Sequence, residues 1–291
     1  MIDLHTHTDR SDGTASPAEL LRAAAALGLE ALGITDHDTM DGYDLTTALA
    51  AEAGLEVICG IELSTRPEGP KDGTRQPSVH LLGYFLQGPP SAEFREWIRG
   101  QQENRRRRNR DLIARLQSLG VDITLEEVQT LGKHLTGRPH FAKVLLRKGY
   151  VRTNQEAFDR YLADNAAASV EREEPELVEG VRRIREGGGL PSLAHPVRLP
   201  QRDRDSLAGL LGTLADNGLQ GLEVYHSEHG PEETALFKDV AAEFKLVETG
   251  GSDFHGDNKP AIQLGTGRDG NLNLPYTLLE NMRNYVTVAT R

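Results

Sequence analysis

Along the first 90 residues, short apolar runs alternate with stretches whose apolar positions recur every three or four residues. The runs at 2–4, 31–35, 57–61 and 79–85 predict strands. A helix is predicted over 16–26, where Ser16, Pro17 and Glu19 supply an N-cap, a first-turn proline and the reciprocal partner of a capping box. Gly28 is placed to end it, and a second helix is predicted over 43–53. Strand character returns at 190–194, 222–225 and 246–249, with helices predicted over 205–216 and 232–243. Strands alternating with helices imply an α/β protein built from parallel βαβ units.

The segment 91–181 breaks this rhythm. It is charged and helical in pattern, without a convincing strand. It carries an arginine run at 105–108, the apolar spacing Leu112, Ile113, Leu116 and Leu119, the unit Gly137-Arg138-Pro139-His140-Phe141-Ala142, and a helix predicted over 155–163. The expectation is an inserted helical subdomain over 91–181, capping a unit formed by 1–90 and 182–291. About 200 residues remain without the insert, the lower end for a (β/α) barrel.

Composition narrows the possibilities. The 291 residues are 37% apolar and 26% charged, enough for a packed core. A net charge of −11 excludes an overall basic surface for nucleic acid and leaves only a local patch. Four consecutive helical arginines point around the whole helix, so the run at 105–108 predicts a solvated face pairing with Glu103 and Asp111 before it predicts an RNA contact. The lone Cys59 excludes a disulfide framework and a cysteine-based zinc finger. No apolar run reaches the ~18 residues of a membrane span, and MIDLHTHTDR is too polar for a secretory signal. The expectation is a cytoplasmic protein, with no membrane partner and no stable protein partner implied.

The chemistry lies in the histidines. His5 and His7 are two apart just after the first predicted strand, so an extended backbone points both to one face. Asp12 follows in the same loop. Asp36 and His37 follow the second strand, Glu62 the third, His195 the fifth, and Asp253 with His255 the last; His80 lies in the fourth. The carboxyl ends of barrel strands converge on one rim, so residues scattered from 5 to 255 meet in one pocket. Imidazole with carboxylate and no thiolate suits Zn²⁺, Mn²⁺ or Fe²⁺. Six histidines and three carboxylates exceed the needs of one tetrahedral ion, so two or three divalent ions are expected.

The ordered motifs DLHTHT with Ser11-Asp12-Gly13, ITDHD at 34–38, Gly60-Ile61-Glu62, HLLGY at 80–84, Ala194-His195-Pro196 and GSDFHG at 251–256 resemble the PHP (polymerase and histidinol phosphatase) family. The resemblance spans nearly all of the chain outside the insert. It implies a distorted (β/α)7 TIM-like barrel that uses two or three metals for phosphoester hydrolysis. It also implies the ligand sets: His5, His7, Glu62 and Asp253 for one ion; Glu62, His80 and His195 for a second; Asp12, His37 and His255 for a third. Some relatives have histidine where this chain has Asp12, and an oxygen ligand there favours Mn²⁺ or Mg²⁺ over Zn²⁺. Through Gly137-Arg138-Pro139-His140-Phe141-Ala142, the insert is similar to the subgroup of 3′,5′-nucleoside bisphosphate phosphatases, some of which act as 5′→3′ exoribonucleases on short RNA.

The expected reaction is attack by a metal-bridging hydroxide on a phosphomonoester, without a covalent intermediate. No Gly-x-Ser-x-Gly elbow argues for a serine nucleophile. Asp36 is a candidate for orienting the His37 imidazole, or else a helix-start carboxylate. His226 is a candidate general acid or phosphate contact. Arg138 and His140, at a predicted helix start, are candidate contacts for a second phosphate, with helix capping as the alternative for Arg138. The substrate expected is a small phosphorylated nucleotide or short oligonucleotide. The competing classes are a histidinol-phosphatase-like enzyme, an amide or lactone hydrolase of the amidohydrolase group, and a non-catalytic metal-binding module.

Overall fold

A computed structural model describes residues 1–67, 78–132, 134–164, 166–170, 173–200 and 203–289. Seven strands form one sheet in strict chain order: β1 (Ile2–Thr6), β2 (Ala31–Ile34), β3 (Glu56–Thr65), β4 (Val79–Phe85), β5 (Leu190–Leu193), β6 (Gly221–His226) and β7 (Val247–Gly251). Every residue of β1, β2 and β5 is buried, as expected of strands covered on both faces. The sheet curls until its ends meet: Asp253 N donates to His5 O at 2.8 Å and His7 N to Phe254 O at 2.9 Å. Gly251 permits this approach, since a Cβ there would stand 2.2 Å from His5 N.

One expectation fails. The strands are not all parallel: β4 is antiparallel to both β3 and β5. Residues 66–78 contain no Leu, Ile, Val, Met, Phe or Ala with which a crossover helix would pack on the sheet, and an antiparallel return needs none. The inversion places the start of β4, rather than its end, at the rim where the other strands finish. His80 therefore lies opposite Ser64, the penultimate residue of β3.

Helices α1 (Pro17–Ala26) and α2 (Asp41–Ala53) cover the first strands, and α1 opens with the predicted capping box. The 27-residue α3 (Ala92–Ser118) straddles two apolar clusters. Its Phe94 and Ile98 pack with the barrel, whereas Leu112, Ile113 and Leu116 pack into a separate cluster built from residues between 112 and 168. That second cluster takes in α4 (Leu125–Leu131), α5 (Arg138–Arg147) and α6 (Asn154–Ala157); a π-helical turn, Phe158–Leu162, continues α6 in place of one regular helix over 155–163. Helix α7 (Leu177–Glu186) puts Leu177, Val181 and Ile184 into the barrel's cluster, so the barrel's packing begins before residue 182. Then follow α8 (Arg204–Asp216), α9 (Pro231–Glu243) and α10 (Thr277–Ala289); α10 buries Leu278, Leu279 and Met282 against Ile2 and Leu4. No described helix is long and apolar enough to cross a membrane.

Cys59, in β3, is only 3% exposed, and burial pushes its thiol up to about 12. Against an ordinary thiol near 8.5, that leaves roughly a thousandth of the thiolate at pH 8. Native protein is therefore expected to react with Ellman's reagent at least ~1000-fold more slowly than protein in guanidinium chloride. Comparable rates would show that β3 is not packed as described.

Candidate active site

The site forms where the strands end. β1 carries its extended backbone to His5, and His7 follows two residues on, so both rings enter the barrel mouth. Asp36 then shapes the next loop. Its carboxylate, fully buried, accepts from Thr8 N (2.8 Å), Thr8 Oγ1 (2.7 Å) and Ser11 Oγ (2.6 Å). This folds the 8–13 loop back so that Asp12 faces the rings. Asp36 has no hydrogen bond to an imidazole among the described residues, so it fixes the Asp12 loop rather than His37. Nor does it start a helix, since α2 begins at Asp41.

Glu62 is the hub. Its Oε2 lies 3.2 Å from His5 Nε2, 3.0 Å from His7 Nε2 and 3.3 Å from His37 Nδ1. Its Oε1 lies 2.6 Å from His80 Nδ1 and 2.8 Å from His195 Nε2. Asp253 Oδ1 faces His5, His7 and His255 at 3.3–3.5 Å. Asp253 Oδ2 is held by Arg198 at 2.8 Å and Lys259 at 2.6 Å. Asp12 stands 3.2 Å from His255 Nε2 and 3.8 Å from His37 Nε2. The nine residues His5, His7, Asp12, His37, Glu62, His80, His195, Asp253 and His255 thus share one rim. His195 (φ 26°) and Asp253 (φ 58°) hold left-handed backbone that non-glycine residues seldom adopt, a strain that clusters at functional sites.

The electrostatics are those of a cation trap. Burial opposes ionisation of Glu62, Asp12 and Asp253, but neighbouring imidazoles, and for Asp253 also Lys259, outweigh it and hold all three well below the usual carboxylate range. Burial pushes His37 and His195 down to about 3, so both rings are neutral, the form in which imidazole binds metal. For His7, burial is outweighed by Asp253 and Glu62, which raise it to about 9. The donors also fit ions by geometry. Ligand atoms of His5, His7, Glu62 and Asp253 lie within 4.8 Å of one another, as do those of His7, Asp12, His37 and His255, and those of His37, Glu62 and His80. His7 Nε2, His37 Nδ1 and Asp12 Oδ1 are buried without a hydrogen-bond partner among the described residues. His7 Nε2 is 3.0 Å from Glu62 yet is not aligned for a hydrogen bond. Lone pairs converging on a common point, rather than on each other, are what a divalent ion requires.

Beside the cluster lies a cavity of about 200 Å³, bordered by Asp12, His37 and His80 on one side and by Arg66, Arg105, Arg108 and Arg138 on the other. The arginine run at 105–108 is therefore not one solvated face. Arg106 pairs with Glu103, and Arg107 bonds Asn104 and Glu173, both at the surface. Arg105 and Arg108, three apart and so on one face, are buried and line the cavity. Arg105 reaches Asp38 at 2.8 Å. Arg138, the first residue of α5, lines the cavity and donates to Leu162 O (3.3 Å) and Asp164 Oδ1 (3.2 Å).

Two candidates lie off the arginine-lined cavity. His140 does not border the cavity: its Nδ1 accepts from Gly137 N at 3.0 Å, closing the start of α5, and its ring packs on Gly132. His226 is fully buried and does not border the arginine-lined cavity either; its Nδ1 accepts from Glu228 N, and its Nε2, without a hydrogen-bond partner among the described residues, lies 3.5 Å from Asp253 Oδ2, so the ring does face the cluster. Sequence reasoning missed Glu223, Arg198, Lys259 and Arg66. Glu223 had a signal: it is the one charge in the apolar strand Leu222–Val224. The other three are ordinary-looking loop or strand-end cations.

Comparison with known proteins agrees with this geometry. Residues 3–168 match the PHP domain family. A 5′-3′ exoribonuclease of Haemophilus influenzae is 30% identical over 87% of this chain and 89% of its own. A phosphoribosyl 1,2-cyclic phosphate 1,2-diphosphodiesterase of Eggerthella lenta is 32% identical over 87% and 94%. A 3′,5′-nucleoside bisphosphate phosphatase of Chromobacterium violaceum is 28% identical over 92% of each chain. A solved structure from Bifidobacterium adolescentis, assigned to the metal-dependent phosphoesterases, superposes with a TM-score of 0.79 at 31% identity, covering 98% of this chain and 95% of that one. The motif order, the rim of imidazoles and carboxylates and these matches together make the chain a member of the PHP family.

Proposed function

We propose that this chain is a divalent-metal-dependent phosphoesterase that removes a phosphate from a small nucleotide, with the 3′-phosphate of nucleoside 3′,5′-bisphosphates as its target. The observation that carries this is the cavity: four guanidinium groups stand directly beside the imidazole–carboxylate cluster. Arg66, Arg105 and Arg138 each pair with one carboxylate, Glu174, Asp38 and Asp164, and since a guanidinium has donors for more than one acceptor, this lining suits a second phosphate on the same small molecule. The similarity to the Chromobacterium violaceum bisphosphate phosphatase supports the same reading.

In this account His5, His7, Glu62 and Asp253 hold one ion, Glu62, His80 and His195 a second, and Asp12, His37 and His255 a third. Imidazole and carboxylate donors without thiolate fit Mn²⁺, Zn²⁺ or Fe²⁺, with Mg²⁺ more compatible at the Asp12 group. Ions bound there would offset phosphoryl charge and make a water acidic enough to act near neutral pH. The chain's own residues do the rest. Arg138 and Arg108 orient the phosphate away from the cluster. Arg198 and Lys259 fix Asp253 from behind, so its Oδ1 stays turned to the imidazoles. Helices α3 and α5 bring the arginines over the barrel mouth and screen the reacting phosphate from bulk water.

A second reading is 5′→3′ exonucleolysis of short RNA, favoured by the similarity to the Haemophilus influenzae exoribonuclease. A 5′-phosphorylated end and its first phosphodiester offer the same two phosphates. The arginine lining tells against an amide or lactone substrate.

Steady-state assays with manganese and three substrates separate the readings: adenosine 3′,5′-bisphosphate, 5′-phosphorylated RNA, and 5-phosphoribosyl 1,2-cyclic phosphate. The highest kcat/KM is expected for the bisphosphate, and hydrolysis of none would overturn the proposal. Arg138→Ala is expected to raise KM for the bisphosphate about 10–100-fold, the effect of losing a charge-assisted contact, and to affect 3′-AMP less. Equal effects on both would remove Arg138 from the second-phosphate site. Glu62→Gln is expected to lose at least one bound ion per chain by elemental analysis after dialysis, and to lose more turnover than the ~10–100-fold that outer partners cost. Full ion content would show that Glu62 is not the shared ligand.

A further inference from the structure

Glu223, on β6, lies beneath the cluster and belongs to none of the three ion groups above. It is 0% exposed. Its two oxygens reach different strands. Oε1 is 2.7 Å from His5 Nδ1, and Oε2 accepts the backbone N–H of His195 at 2.5 Å. Both of those residues also turn a ring nitrogen towards the hub: His5 Nε2 stands 3.2 Å from Glu62 Oε2, and His195 Nε2 stands 2.8 Å from Glu62 Oε1.

A neutral imidazole carries its proton on one nitrogen, and a carboxylate can only accept. Glu223, at 2.7 Å the nearest carboxylate to the ring, favours the His5 proton on Nδ1, which would leave the Nε2 lone pair for an ion held with Glu62 and Asp253. The same carboxylate holds the His195 amide where the backbone is left-handed, at φ 26°, a pose with no intrinsic preference for a non-glycine residue. One buried group thus sets the tautomer of a ring from β1 and the backbone pose of a ring that follows β5.

We propose that Glu223 is a positioning residue that couples the two ion groups sharing Glu62, by locking His5 as the Nδ1–H tautomer while clamping the backbone of His195. This rests on the proposed role of Glu62 as the shared ligand. A competing assignment makes Glu223 itself a ligand, since atoms of His5, Glu223 and His226 also lie within 4.8 Å of one another.

Glu223→Gln separates these possibilities because it keeps shape and volume. Its carbonyl still accepts from His195 N–H, but its amide then turns donors towards His5 Nδ1 and forces the other tautomer. Calorimetric titration of the variant with Mn²⁺ is expected to give the wild-type number of ions at ~10–100-fold weaker affinity. The metal-free melting temperature is expected to stay near wild type, with a smaller rise on adding subsaturating Mn²⁺. Three results overturn the proposal: unchanged Mn²⁺ affinity, loss of an ion from the stoichiometry, or a lower metal-free melting temperature with the Mn²⁺-induced rise intact. A second measurement uses wild-type protein and is independent of the variant's folding. ¹H–¹⁵N correlation spectra of the Zn²⁺-loaded enzyme, with His5 assigned against a His5→Gln sample, are expected to show His5 protonated at Nδ1; an unprotonated Nδ1 overturns it. Wild-type protein that binds no Mn²⁺ at all would instead refute the metal reading under which this inference stands.

Discussion

A single carboxylate, that of Glu62, is buried among five imidazoles, and the architecture of the site answers to that arrangement. At 1% exposure the group has almost no water to solvate it. An unpaired buried carboxylate costs on the order of several kcal/mol, so the fold must supply compensation from every side. It does so with rings drawn from β1, from the loop after β2, from β4 and from the turn after β5. The inversion of β4 brings His80 into this set, and the left-handed backbone at His195 aims that ring at the same carboxylate. These departures from regular geometry have a common effect: each places a nitrogen within reach of Glu62.

A second layer keeps the first in place. Asp36 folds the loop that carries Asp12, Arg198 and Lys259 fix one oxygen of Asp253, and Glu223 ties His5 to His195. Outside this layer the insert has an apolar cluster of its own between residues 112 and 168, while its ends pack with the barrel through Phe94, Ile98, Leu177 and Val181. What it presents to the mouth is Arg105 and Arg108 of α3 and Arg138 of α5, with Asp164 and Glu174 beside them. The chain as a whole carries −11, and at this cavity four arginines stand among Asp12, Asp164 and Glu174.

Strand positions and the convergence of His5, His7, Glu62, His195 and Asp253 were legible in the sequence because they depend on local pattern and on one topological rule. The direction of β4 was not, because strand period is the same in either direction; only the apolar-free stretch at 66–78 hinted at it. The arginine run shows where period arguments stop. Helical spacing says that Arg105 and Arg108 share a face, but which face is inward depends on Leu112 and Leu116 further along the same helix packing into the insert. His140 looked like a ligand contact and is a cap, since a side chain three residues into a helix can turn back to the preceding N–H as easily as outward. Asp36 is next to His37 in sequence yet faces the 8–13 loop, and His226 turns its Nε2 towards Asp253. Helix α10 was not expected, although Leu278, Leu279, Met282 and Val286 carry a helical period.

The most direct test of the account is anomalous diffraction at the manganese edge from crystals grown with Mn²⁺. The account predicts at least two peaks, both within coordination distance of Glu62, one also contacting His5 and His7 and the other His80 and His195. Peaks at other places, or an imidazole–carboxylate rim without anomalous density in manganese-saturated crystals, would contradict it.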